Sequence, residues 1–260
     1  MKRAQTIQLI DGLKTLRLAT VRECYGEQAG LARKETLTYE AYLLELVNRE
    51  CEMRAHNRVQ RLLRESRLPL EKNLDAFDRA RLPTKVDGLV ATLLEGDFLD
   101  RSENILAFGN PGSGKTHLLC AIGQHLIHQG RRILFTPCNF LVQQLLVAKR
   151  DLDLSRLLKR WDRYDALILD DIGYVQHSRE EMEVLFALLS HRYERGTIMI
   201  TSNLPFSKWE KIFKDPMTTA AAIDRLVHHC VILELNLPSY RLEQAKSRRK
   251  TKAQAAQNAS

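Results

Sequence analysis

Eight consecutive residues, GNPGSGKT at 109–116, carry the most specific chemistry in the chain. They fit the pattern G-x-x-x-x-G-K-[ST] completely. An apolar stretch, ILAFG, leads in and KTHLLCAIGQHLI leads out, so a strand feeds the loop and a helix leaves it. Gly109, Asn110, Pro111, Gly112, Ser113 and Gly114 form the turn, and its glycines accept torsions that a Cβ resists. Free N–H groups and the positive end of the helix dipole then face a bound anion. Lys115 is placed to reach the β and γ phosphates of ATP, Thr116 to hold Mg²⁺ through its hydroxyl, and His117 follows them into the helix. A chance glycine-rich turn would not require both flanking elements.

Three further stretches belong with this loop. ALILDD, residues 166–171, is an apolar strand ending in acid, which puts carboxylates at the edge of a sheet beside the loop. Asp170 would orient the Mg²⁺ shell, and Asp171 would polarise the attacking water as general base. TIMITSN, residues 197–203, ends a second strand on Asn203, which could hold that water without adding charge. The same Asn-Leu-Pro run is also good turn chemistry. AAIDRLVHH, residues 221–229, carries Arg225 on a helix before the last strand. There it could address a neighbouring subunit's γ-phosphate or pair with Asp224 or Glu234 in its own chain. Arg241, after the last strand, could touch phosphate or simply begin a basic tail. His228 and His229, adjacent on a helix, would point to different faces and share no metal. Trp161 and Trp209 read as packing residues.

These residues need a scaffold, and the pattern supplies one. Short apolar runs at 104–109, 132–137, 166–170, 197–202 and 230–235 alternate with helical stretches near 115–129, 139–160, 178–194 and 207–228. That alternation predicts an α/β fold, a parallel sheet sandwiched by helices. Residues 1–70 read as a small all-helical domain. Its long helix starts after Thr38, buries Leu43, Leu44, Val47 and Cys51, and stops at Pro69. Arg54, Arg58 and Arg61 share a side of it, as phosphate contacts or as a solvated face. Residues 68–85 read as a connector, 71–240 as the phosphate-binding domain and 241–260 as a flexible tail.

Of the 260 residues, 44% are hydrophobic and 28% charged, which excludes a disordered or membrane-embedded chain. Without an apolar leader or a spanning run, a cytoplasmic location is expected. Five scattered cysteines without a CxxC pair suggest buried thiols. The net charge of +8 sits at the ends. Residues 1–70 hold 13 basic against 9 acidic groups and residues 241–260 hold 6 against 1, while the middle holds 21 against 22. Basic ends suit a polyanion such as DNA, or a solvated surface.

The order GNPGSGKTH, LILDDIGY, ITSNLPF, DRLVHH, SYR resembles the IstB/DnaC group of AAA+ ATPases, over roughly residues 70–241. LKTLRLATV and LTYEAYLLELVNRE are similar to the N-terminal domains of IstB-like transposition helper ATPases. The resemblance implies a P-loop AAA+ fold, with Walker A at Gly109–Thr116 and Walker B at Asp170 and Asp171. It makes Asn203 sensor 1, Arg225 the arginine finger and Arg241 the sensor 2 arginine. It further implies an ATP-dependent homo-oligomer on double-stranded DNA, with little sequence preference, that bends target DNA and assists a cognate transposase. A DnaC-like helicase loader is the alternative. No helical lid domain is expected, because the chain after Leu235 is short and polar.

Overall fold

The computed structural model describes residues 2–173, 178–209, 216–240 and 242–243. The chain divides into two compact units, Met1–Arg61 and Leu62–Ser260.

Three helices build the first unit: α1 (Lys2–Thr15), α2 (Ala19–Lys34) and α3 (Tyr39–Ser66), the last running on past the division. Thr38 caps α3, its hydroxyl accepting the Ala41 N–H at 3.2 Å. Leu13, Val21 and Leu46 form a small core with Leu18, Tyr25 and Tyr42 against it. Leu43, Leu44, Val47 and Cys51, expected inside, are exposed. The buried line of α3 runs instead through Leu46 and Glu50. Glu50 is drawn in by α2, whose N-cap position, Leu18, supplies no side-chain cap. The Glu50 carboxylate accepts the Thr20 and Val21 N–H groups at 2.9 and 3.2 Å, capping α2 from 30 residues away. Burial works to raise the Glu50 pKa, but Arg54 and these two N–H groups outweigh it and hold it below the usual carboxylate value. Arg54 donates to Glu50 and to the Arg17 carbonyl, so it is tied within its own unit. The helix stops at Ser66 rather than at Pro69, where Arg67 turns left-handed (φ +58°).

The second unit is a five-stranded parallel sheet in the order β2-β3-β4-β1-β5. The strands are β1 (Asn104–Gly109), β2 (Ile133–Pro137), β3 (Ala166–Ile172), β4 (Thr197–Ser202) and β5 (Cys230–Leu235). Helices α4 (Thr84–Glu95) and α6 (Lys115–His128) pack together, as do α7 (Cys138–Arg150), α9 (Arg179–Arg192) and α10 (Pro216–Val227). Short α5 (Asp97–Asp100) and α8 (Leu154–Trp161) are the remaining α-helices among the described residues of this unit. Strands buried on both faces explain the unbroken apolar runs. Leu106, Leu167 and Ile198 join the core of α7, α9 and α10, while Ile105, Ile168 and Met199 are also fully buried. One expected helix over 139–160 is two, because Leu152 takes a left-handed turn (φ +55°) between α7 and α8. Helix α10 ends at Val227, so His228 and His229 occupy the turn before β5 and not a helix.

Beneath the N-terminal ends of the strands lies Arg192, only 2% exposed. Its guanidinium donates to the carbonyls of Trp161, Tyr164, Asp165 and Thr197 at 3.0–3.2 Å, pinning α8 and the entries to β3 and β4. Burial pushes its pKa down to about 10, so it remains a cation at neutral pH. All five cysteines are free. Burial raises the Cys120 and Cys138 thiols to about 12, whereas Cys51 is exposed, against expectation. Trp161 and Trp209 are buried in the core. Among the described residues no helix is long and apolar enough to cross a membrane.

Candidate nucleotide-binding site

Strand β1 ends at Gly109, and the chain then curls through three left-handed glycines, Gly109, Gly112 and Gly114 (φ +151°, +80° and +100°). A Cβ on Gly109 would strike the Leu235 carbonyl of β5, and one on Gly112 would strike the Ser239 side chain. Helix α6 begins at Lys115, whose side chain is buried. Its ammonium donates to the Gly109 and Asn110 carbonyls at 2.8 and 2.9 Å and to Asn203 Oδ1 at 2.6 Å. Gly109 and Asn110 thus act through Lys115, while residues 111–117 line the cavity itself.

The acidic pair is aimed by a bulge. On β3 three steps separate Leu169 from Ile172, against two from Ile200 to Ser202 on β4. Asp171 falls in that bulge with φ +60° and lines the cavity. Asp170 Oδ1 accepts the Thr116 hydroxyl at 2.7 Å and the Thr201 hydroxyl at 2.6 Å. Thr201 in turn accepts the Asp171 N–H at 2.8 Å. Lys115, Thr116, Asp170, Asp171 and Asn203 therefore converge at the C-terminal ends of β1, β3 and β4, where ligands of open parallel sheets collect.

The cavity holds about 380 Å³. Ser113 Oγ is buried on its wall without a hydrogen-bond partner, as a hydroxyl meant for a ligand oxygen would be. Left-handed glycines, a helix N-terminus, a buried ammonium and this hydroxyl fit a polyphosphate. The Thr116 hydroxyl beside the Asp170 carboxylate is an all-oxygen donor set, which fits Mg²⁺.

Much of the wall comes from the segment the pattern marks as connector and from the stretch after β5. Lys72, Ala76, Phe77, Asp78 and Arg81 line it from one side, Leu237 and Tyr240 from another. Gln124 of α6 holds the connector by the Pro69 and Lys72 carbonyls, both at 3.0 Å. His117 does the same for Asn73, its Nε2 donating to the carbonyl at 2.9 Å, and meets Phe77 edge-on at 5.1 Å. Tyr240 N–H donates to the Gly112 carbonyl at 3.0 Å, and the Arg81 guanidinium lies 5.0 Å from the Tyr240 ring centre. Gln124, two residues before Leu126 and Ile127, was the available signal: a polar side chain on the buried side of a helix needs partners. Arg241 lies outside the described residues.

Arg225 does not join this group. It sits on α10, stacks 4.8 Å from the Phe186 ring centre and donates to the Ala221 carbonyl. With Asn104, the first residue of β1, it lines a separate cavity of about 200 Å³. The length of β1 puts that end roughly 17 Å from the phosphate loop at ~3.3 Å per residue. Lys149, Arg150, Arg156, Lys159 and Arg160 form a basic stretch over α7 and α8, but Lys149 pairs with Glu183, and Arg156 and Arg160 with Asp153, which makes that surface one of mixed charge.

Comparison with known proteins gives one consistent answer. An insertion-sequence ATP-binding protein of Sinorhizobium fredii is 44% identical over 234 residues, covering 90% of this chain and 78% of its own. The IS21 ATP-binding protein of Pseudomonas aeruginosa is 38% identical over 237 residues, 91% and 88% of the two chains. Among solved structures, the DnaC helicase loader matches 63% of this chain and 96% of its own, with a TM-score of 0.53 at 18% identity. AMPPCP-bound DnaA from Aquifex aeolicus matches 71% and 56%, with a TM-score of 0.55 at 19% identity. Those two share the AAA+ fold with this chain. Residues 11–249 match the family described as IstB-like ATP-binding protein, and the chain belongs to that family.

Proposed function

We propose that the protein is a Mg²⁺-dependent ATPase that works as a homo-oligomer on double-stranded DNA and assists the transposase of its insertion sequence. The observation that carries this reading is the separation of two sets of residues. One end of the sheet gathers Lys115, Thr116, Asp170, Asp171 and Asn203, while Arg225 stands at the other. Among the described residues the other cations on the cavity wall, Lys72 and Arg81, come from the connector, and in this reading the cation for the γ-phosphate comes from another subunit. Arg225, half-buried and braced on Phe186, suits that role.

In this reading Lys115 leaves the Gly109 and Asn110 carbonyls to pair with phosphate oxygens. Thr116 and Asp170 hold Mg²⁺, which neutralises developing charge on the phosphates. Asp171 accepts a proton from the attacking water that Asn203 positions. ATP then favours assembly because its γ-phosphate joins two chains. Assembly repeats the basic groups of each chain along a duplex, so affinity for DNA falls steeply with salt. The relatives' names, insertion-sequence ATP-binding proteins, support the link to transposition.

Mass photometry with a non-hydrolysable ATP analogue tests the reading, run with and without a long random-sequence duplex at two salt concentrations. Large species that need nucleotide, grow on DNA and vanish in high salt or on Arg225→Ala are expected. A chain that stays monomeric with analogue and DNA at low salt overturns the intersubunit site.

A further inference from the structure

Near Arg225 lies a cluster that the nucleotide chemistry does not use. Glu194 follows α9 in the turn before β4, and His228 and His229 form the turn before β5. One ligand atom from each of the three lies within 4.8 Å of the others. The two imidazoles meet edge to face at 4.2 Å, which is open to them because the helix has already ended. All three are exposed, so an ion reaches them from solvent.

We infer that Glu194, His228 and His229 form a binding site for a divalent transition-metal ion of the Zn²⁺ class. Two neutral imidazoles and a carboxylate are a recurrent donor set for zinc, with a fourth position left to water. The nitrogen donors select Zn²⁺, Co²⁺ or Ni²⁺ over Mg²⁺, which prefers oxygen, so the site is chemically distinct from the Thr116–Asp170 pair. A supporting partner is already in place. Tyr193 Oη lies 3.1 Å from His228 Nδ1. When Nδ1–H donates to that oxygen, the ring is fixed in the tautomer whose Nε2 is free for a metal. Nearby cations do not forbid the ion. Arg101 is paired through two contacts, 2.9 and 3.0 Å, with Glu103, and Arg225 is stacked on Phe186. Exposed Glu194 and Asp224 add negative charge to the same surface, where solvent screens it. Because Glu194 and His229 line the same cavity as Arg225, the ion ties together the two turns that flank that residue.

The test uses the untagged full-length protein without nucleotide. Co²⁺ serves as the optical probe and Zn²⁺ as the competitor, followed by calorimetry. The expected result is a single Co²⁺ per chain with visible bands of a nitrogen–oxygen site and no thiolate charge-transfer band, displaced by Zn²⁺. The signal persists in Cys51→Ser. It is lost in His228→Ala, His229→Ala and Glu194→Gln, each with unchanged circular dichroism. Tyr193→Phe keeps the bands and weakens affinity by roughly 10–100-fold. A thiolate band that disappears in Cys51→Ser overturns the assignment. So does Zn²⁺ binding unchanged in the three ligand variants, or no spectrum at excess Co²⁺. None of these readings depends on ATP turnover, so their failure leaves the ATPase proposal standing.

Discussion

The two ends of the parallel sheet are built on opposite plans. At the C-terminal ends, the groups that carry chemistry are bonded to one another: Lys115 to Asn203, Thr116 and Thr201 to Asp170, Asp171 to Thr201. At the N-terminal ends, rigidity and chemistry are separated. Buried Arg192 supplies the rigidity through four carbonyls, while Arg225, His228, His229 and Glu194 stand at or near the surface. The difference teaches where each set finds its partner. A network closed on itself is preorganised for a ligand that enters the chain's own cavity. Surface groups on a rigid base are presented to something outside the chain.

The largest expected effect breaks that contrast directly. Arg225→Ala leaves the nucleotide affinity of the dilute chain unchanged but, under conditions where the unaltered chain assembles, lowers turnover by about 10³–10⁵-fold. Mixing it with Lys115→Ala restores part of the turnover, because one interface in the mixture then has both an intact loop and an intact arginine. Steady-state hydrolysis across mixing ratios measures this. A weakened affinity in the dilute Arg225→Ala chain, with no complementation, would place Arg225 on its own nucleotide.

Asp171→Asn addresses the closed end. Its bulge and its N–H contact to Thr201 survive the substitution, so ATP still binds while hydrolysis falls by about 10²–10⁴-fold. Equilibrium binding of a fluorescent ATP analogue beside phosphate release separates the two quantities. Equal losses in both would mean that Asp171 shapes the cavity and does not handle the proton.

Arg192→Met sharpens the other side. It takes the side-chain donor from four carbonyls, of which Trp161 and Asp165 keep the Tyr164 and Thr197 N–H groups, at about 1–3 kcal/mol for each group left unpaired where water cannot reach. With relaxation, a net loss of about 3 kcal/mol is expected, lowering the melting temperature by roughly 6–12 °C at this size. Nucleotide affinity at the opposite strand ends is unchanged below the transition. Thermal unfolding followed by circular dichroism, and the same fluorescent-nucleotide titration, check both halves.

The same division governs what could be read from the residues. The phosphate loop, the acidic pair and the strands that lead into them were legible, because local rules act there: glycine torsions, a strand into a loop, a helix out of it. Glu50 was not legible as a cap, because it serves α2 from 30 residues away, and Leu43 and Val47, on the same side of α3, are exposed. Residues 72–81 read only as a connector, since nothing periodic marks a segment held by Gln124 and His117. His228 and His229 were placed on a helix that ends one residue too soon for them. Each miss is a tertiary contact or a boundary, not a local preference.

Thr201 is the subtlest member of the closed end, and the smallest effect tests it. It lies within the strand leading to Asn203, where a β-branched residue needs no functional explanation. Yet its hydroxyl donates to Asp170 at 2.6 Å and accepts from Asp171 N–H at 2.8 Å, so it fixes the Asp170 carboxylate and the Asp171 backbone at once. Thr201→Val keeps the shape and removes both contacts. Because Asp170 keeps its Thr116 partner, the metal donor set persists but is less well oriented. The Mg²⁺ concentration at half-maximal turnover therefore rises by roughly 10-fold, the lower end of what loss of a supporting hydrogen bond costs a metal site. ATP affinity without Mg²⁺ is unchanged, since Lys115 and the glycine loop are untouched. A Mg²⁺ titration of phosphate release measures the shift. Thr201→Ser, which keeps the hydroxyl, returns it to the starting value, and a serine variant as impaired as the valine would make packing, not the hydrogen bonds, the role of Thr201.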